Sequence, residues 1–360
     1  MAIDDRLTSL LQLKLPIIQG PFGGGISTVE LTSAVSKKGG LGSFGAHILT
    51  PDEIINTTKA IARETEQPFA MNLWVEDHDP EALSLSDDAY ETYATQFKPY
   101  YDELGLELPK RPERFHESFE EQMEGIMQAR PPVLSFVFGI PSIDILRACE
   151  ERGILTVGAV TTVAEAVALD LAGVSAIVAT GFEAGGHRPS FLRRAEDSLM
   201  STSALVQTAA ARVETPLIAA GGIVDARGVE AARLLGASAA QLGTAFLACE
   251  ESGTTDAHRE LLFDKTAVAD TTLTRTYTGR LARGVRNRLI DELERPDNQI
   301  APFPVQAWFV APLKKASMDT NQTDLTSLYA GQSAPNLQHH NVASLMDALS
   351  TSLSNQADAA

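Results

Sequence analysis

The sequence predicts a (β/α)8 TIM barrel that carries a helical insertion after its third strand and a C-terminal extension. Three observations lead there. Eight short apolar runs recur between residues 16 and 246, and amphipathic helical patterns separate most of them. The runs are also continuous rather than alternating, as strands buried on both faces are. A doubly wound open sheet uses parallel strands too, but it offers no reason for eight β-α units of this regularity.

In chain order the strands are expected at PIIQG (16–20), LGSFGA (41–46), FAMNLW (69–74), VLSFVFG (133–139), ILTVGAV (154–160), AIVATG (176–181), PLIAAGG (216–222) and AAQLGTAF (239–246). The intervening helices are expected at 28–39, 51–65, 142–153, 162–173, 202–213 and 225–237. Many of these open on Ser, Thr or Asp, whose side chain can accept a free N–H of the first turn, and close on Gly. Residues 1–75 and 131–265 thus form the barrel. Residues 76–130 hold 15 acidic against 5 basic side chains, and their Phe, Tyr, Leu and Met content predicts a helical lid or side wall rather than a solvated linker. Residues 266–360 are an extension packed on the barrel. Its basic run, TGRLARGVRN (278–287), has two uses: to face an anionic ligand, or to pair with the acidic surface, which is the reading we favour.

Composition bounds the function. A formal net charge of −18 places a repulsive field before nucleic acid and anionic membrane surfaces. Cys149 and Cys249 make neither a disulfide framework nor a metal-ligand spacing, which points to a reducing compartment. The first twenty residues carry acids early and a short apolar stretch broken by Lys14 and Pro16, fitting neither a signal peptide nor a membrane span, so a soluble cytoplasmic protein is expected.

In a barrel of this kind the chemistry gathers at the C-terminal ends of the strands. The most informative end is TGFEAGGHRP (180–189), where Gly185 and Gly186 let a planar ligand approach the main chain and His187 supplies a group that titrates near neutrality. The plainer reading is a tight turn whose histidine caps the backbone. The loops after strands seven and eight, AAGGI (219–223) and QLGTAF (241–246), expose backbone N–H groups, and Thr244 adds a hydroxyl; together they suit a phosphate.

These segments form an ordered set: QGP, AVSKKGGLGSFGA, the asparagine of FAMNLW, SFVFGIP, EAGGHRP, PLIAAGGI, QLGTAF, TGRLARGVRN, PFPVQ and LYAGQ. In that order the chain resembles the nitronate monooxygenases, FMN-dependent barrels, over residues 15–332. The KPYYDELGLELP segment inside the insertion resembles the larger class of these enzymes, with bacterial and fungal members. The resemblance implies that Asn72, Thr180, Gly185, Gly222, Gln241, Leu242, Gly243 and Thr244 contact FMN and that His187 is catalytic. It implies oxidation of alkyl nitronates, and of nitroalkanes, with O2 to a carbonyl compound and nitrite. Neutral His187 can take an α-proton; protonated, it can steady an anionic nitronate.

The chain departs from that pattern at Thr180, where glutamine is common, at Val137, where SFHFG places a histidine, at Phe22 for methionine and at Pro189 for glycine. These changes bear on substrate more than on cofactor. The flavin-dependent enoyl-acyl-carrier-protein reductases carry similar strand ends and are the nearest alternative. The acidic chain would repel an acidic carrier protein. A non-catalytic flavin- or phosphate-binding barrel leaves His187 without a job.

Overall fold

The computed structural model describes residues 4–357. Eight parallel strands form one sheet: β1 (Ile17–Gln19), β2 (Gly42–Gly45), β3 (Phe69–Trp74), β4 (Val133–Val137), β5 (Leu155–Val160), β6 (Ala176–Thr180), β8 (Leu217–Ala220) and β9 (Ala239–Leu242). The label β7 belongs to a two-residue strand, Gly186–His187, outside the barrel. β1 pairs with β9, and a parallel bridge from Ile18 to Leu41 brings it to β2, which closes the circle. Each strand thus has neighbours on both sides, and the expected continuous apolar runs are buried accordingly, with every residue of β3, β6 and β8 buried.

The ring helices begin where their caps dictate. Thr28, Thr50, Ser142, Thr162, Ser201 and Asp225 each accept a first-turn N–H, and Thr50 and Thr162 complete reciprocal boxes with Glu53 and Glu165. The structure differs from the sequence expectation at the C-terminus. Helix Val342–Ala357 is not an appendage: it lies between helices Val29–Lys37 and Ala226–Leu234, the place of the eighth ring helix, and its Leu345, Met346 and Leu349 join the barrel core. What precedes it, from about residue 265 to 341, is therefore a second excursion inserted between the last strand and its helix. Periodicity sees a terminal amphipathic helix but not that its partners lie hundreds of residues earlier.

The two excursions meet. Tyr90, Phe97, Tyr100 and Tyr101 of helix Asp87–Glu103 share a second apolar cluster with Leu289, Leu293, Phe309 and Leu313 of the later segment. Helix Phe119–Ala129 instead packs on helix Pro51–Glu64, with Phe119, Met123 and Ile126 in the barrel core. The later segment also supplies β10 (Thr271–Thr274) and β11 (Ala282–Val285), an antiparallel pair to which β7 adds through Ala282↔His187 and Arg283↔Gly186. Among the basic residues, Arg280 meets Asp79 at 2.9 Å and Arg288 meets Glu103 at 2.7 Å, tying the extension to the acidic insertion. Cys149 and Cys249 are free and buried. No described helix is long and apolar enough to cross a membrane, and the described residues hold no metal-ligand cluster.

Candidate active site

A cavity of about 850 Å³ opens at the C-terminal ends of the barrel strands. Asn72, Thr180, Gly185, His187, Gly222, Gln241, Gly243 and Thr244 all line it. Leu242 does not: its side chain is buried in the barrel core, because side chains alternate along β9 and Gln241 takes the inward position. Gln19 also faces away, its amide bracing Ser43 in β2.

One end of the cavity is built for close backbone approach. A side chain on Gly243 would meet nothing within 4 Å, so that position presents open cavity, and Gly222 sits at φ +70°, a conformation that side chains disfavour. Segment 329–334, from the LYAGQ motif, seals this end. Gly331 N donates to Thr244 Oγ1 at 2.9 Å, Ser333 Oγ donates to Gly222 O at 2.7 Å, and Gln332 N donates to Glu183 O at 2.9 Å. With an N–H already directed at its oxygen, the Thr244 hydroxyl keeps its own proton for an acceptor in the cavity. Asn72 is held by its ladder neighbour, donating from Nδ2 to Ser135 Oγ at 3.0 Å.

The other end is aromatic. Trp74 forms its centre, meeting Phe138 edge-on at 4.7 Å and Phe303 at 5.2 Å. Phe138 has φ +60°, rare for a bulky residue, and Arg280 packs its guanidinium over Phe138 and Phe303 at 4.4 and 4.3 Å. The same arginine bonds Asp79 and Glu76 O, so it joins the insertion to the cavity wall.

His187 lies against this aromatic end, 4.9 Å from Trp74, with Nε2 2.8 Å from Thr278 Oγ1. Its backbone is zipped to β11, and Arg188 N continues the ladder to Leu281 O. Burial, reinforced by the neighbouring His47 and by the charges of Arg280 and Lys314, pushes the imidazole down to about 3, so it is neutral across the working range. His47, stacked on the same Trp74 ring, is lowered to about 3 for the same main reason, burial. Lys314 reaches the cavity from helix Val305–Asp319 and is lowered to about 8 by burial.

Sequence reasoning missed His47, Trp74, Phe138, Thr278, Lys314 and Ser333. Three had a signal. Trp74 ends FAMNLW, Thr278 opens TGRLARGVRN, and Phe138 sits in SFVFGIP, so each lay inside a recognised segment without being singled out. His47 falls one residue past a motif, and Lys314 sits on a helix whose sequence gave no hint of the cavity.

The comparisons with known proteins agree with this geometry. The family model for nitronate monooxygenase matches residues 4–351. A probable nitronate monooxygenase of Staphylococcus haemolyticus is 35% identical over 351 residues, 97% of each chain, and one of Staphylococcus aureus is 36% identical over 91% of each. The crystal structure of a nitroalkane oxidase from Streptomyces ansochromogenes superposes with a TM-score of 0.89 at 32% identity, covering 98% of this chain and 99% of that one. FabK from Thermotoga maritima, at 24% identity and a TM-score of 0.74, shares the fold. Because the family match spans the barrel and both excursions that build the cavity, this chain belongs to the nitronate monooxygenase family, a family of oxidoreductases.

Proposed function

We propose that this enzyme binds FMN and oxidises alkyl nitronates with O2, giving a carbonyl compound and nitrite, with neutral nitroalkanes as slower substrates. The observation that carries the reading is the division of one cavity into a glycine-rich end with free hydroxyl capacity and an aromatic end bearing a desolvated histidine. The fit to a flavin rests on Gly243, where the space a side chain would fill is empty, and on Gly222, whose positive φ turns backbone toward the cavity. Gly222, Gly243 and Thr244 would hold a single phosphate, which suits FMN, while Asn72, Thr180, Gly185 and Gln241 would border the ring. Bound flavin supplies the electron acceptor and the reactivity toward O2.

The chain's own residues supply binding and proton control. Thr278 fixes the His187 ring, and Trp74 packs against one side of it. A ring lowered to about 3 is a weak base toward a carbon acid, but an anion beside it raises its proton affinity again. His187 is thus better matched to a substrate that arrives as the nitronate anion, which it steadies by hydrogen bonding, than to one whose α-proton must be removed first.

The test is the visible spectrum of the pure protein, mass identification of the cofactor released by heat, and nitrite assay with a nitronate and its parent nitroalkane. FMN, with faster nitrite release from the nitronate, is expected. Recovery of FAD alone would count against the cofactor assignment. Rapid bleaching by NADH or NADPH with no nitrite from either substrate would replace the reading with a reductase.

A further inference from the structure

His47 is a second imidazole in the same cavity, and nothing in the chemistry so far uses it. Its ring lies parallel to Trp74, with centroids 4.1 Å apart and planes within 7°, while His187 meets the same indole at 4.9 Å and 73°. One tryptophan therefore orients both imidazoles. The Cε1 edge of His47, between its two nitrogens, abuts the loop after β1: a Cβ on Gly23 would lie 2.1 Å from Cε1, so that glycine is what makes room for the ring. The backbone is pinned as well, because Gln122 Nε2 of the insertion donates to both His47 O and Leu49 O at 2.9 Å.

A ring fixed this closely still has unused chemistry. Neither nitrogen of His47 has a hydrogen-bond partner among the described residues, whereas His187 spends Nε2 on Thr278. The His47 ring is only half-buried at the cavity wall, so those nitrogens stay open to an oxygen entering the cavity. Val137, the ladder neighbour of Trp74, offers no polar atom to that side of the cavity. His47 is thus the polar side chain stacked on this indole that remains free to meet an oxygen.

We propose that His47 positions the substrate by donating a hydrogen bond to an oxygen of the nitronate group, with His187 acting from the other imidazole site around Trp74. This rests on the nitronate reading above. It also gives Trp74 a role in the reaction, as the shared platform that sets the angle between the two histidines.

His47→Phe tests it, since phenylalanine keeps the stacking on Trp74 and removes only the N–H. The variant should keep its full flavin content. Its kcat/KM for an alkyl nitronate should fall roughly 10- to 100-fold, the usual worth of a hydrogen bond to a charged group, mostly through KM. Inhibition by inorganic nitrate, a planar oxyanion, should weaken by a similar factor in the flavin-bound protein. His47→Gln, which restores a donor, should recover part of both. Unchanged kcat/KM and nitrate inhibition in His47→Phe would overturn the proposal, as would a phenylalanine variant that loses activity only because flavin is lost while the glutamine variant gains nothing. Wild-type enzyme assayed alongside separates the two ideas: no nitrite from wild type overturns the nitronate reading itself, while normal wild-type turnover with an unaffected His47→Phe overturns the role of His47 alone.

Discussion

His187 is held neutral by its surroundings, and the consequence is a contrast between two substrates. His187→Asn should keep the yellow cofactor, because the glycine loops at the other end of the cavity do not depend on the ring. A nitroalkane must lose its α-proton in the site, a step that even a weakly basic ring assists, so its turnover should drop by about 10²-fold, the low end of the usual worth of a general base, while a pre-formed nitronate, which loses only a hydrogen bond, should lose less. Equal losses measured by nitrite release would assign the ring to positioning instead. Lys314 adds a pH signature. It makes no ion pair among the described residues, and burial lowers it to about 8. Below that pH it carries a charge that favours an anionic ligand; above it the charge is gone. The kcat/KM for a nitronate should accordingly decline as pH rises through about 8, and Lys314→Met should lower the plateau and flatten that limb in a pH-rate profile. At the opposite end, Gly243→Leu would place a side chain in open cavity without touching the barrel core, so flavin content should fall while the far-ultraviolet circular dichroism stays that of wild type. Unchanged flavin content would make residues 241–244 a structural turn.

At the level of elements, the insertion and the later excursion act as one wall, and Arg280 is their joint. Its side chain is 7% exposed, it bonds Asp79 at 2.9 Å, and it packs over two phenylalanines of the cavity. Arg280→Leu leaves Asp79 half-buried without its partner, a loss of about 3 kcal/mol or more for a pair of this kind. Limited proteolysis should then cut within residues 80–118, which should resist in wild type, and Asp79→Asn in the same chain should restore part of the resistance. Equal resistance in Arg280→Leu would show that the apolar cluster alone holds the wall. The barrel strands and ring helices were legible because each follows a local pattern: continuous apolar runs, caps and closing glycines. The strand ends gave His187 and the glycine loops for the same reason. What was not legible depends on pairing between distant segments. The strand Gly186–His187 exists only because β11, nearly a hundred residues later, offers an edge. His47 and Lys314 share a cavity because the loop after β1, strand β2 and a late helix converge, and no periodicity within one segment records that.

For the whole molecule, the buried imidazoles make stability depend on acid. His47 and His187 are lowered to about 3 and His258 to about 4, each chiefly by burial, whereas in the unfolded chain they protonate near 6.5. Between those limits the unfolded state binds more protons than the folded one, so the stability these groups confer is complete above about pH 6.5 and is lost progressively as pH falls toward 3 to 4. The chain's net charge of −18 works the other way, since mild acid reduces self-repulsion. That repulsion is spread over the surface and screened by salt, while the buried His258 must either stay neutral or open the structure to take up a proton. The imidazoles should therefore dominate at moderate ionic strength. His258 isolates the effect because it lies outside the cavity lining, is 4% exposed, and has an Nε2 with no partner. Urea unfolding at 0.15 M salt and one FMN concentration should show midpoints falling from pH 6.5 to 4.5, and comparing His258→Leu with wild type at each pH cancels the pH dependence of FMN binding. His258→Leu should reduce that slope by up to about 1.4 kcal/mol per pH unit, the value for one proton. A midpoint that rises on acidification would mean that surface repulsion outweighs the buried rings, and an unaltered slope in His258→Leu would place the acid sensitivity elsewhere.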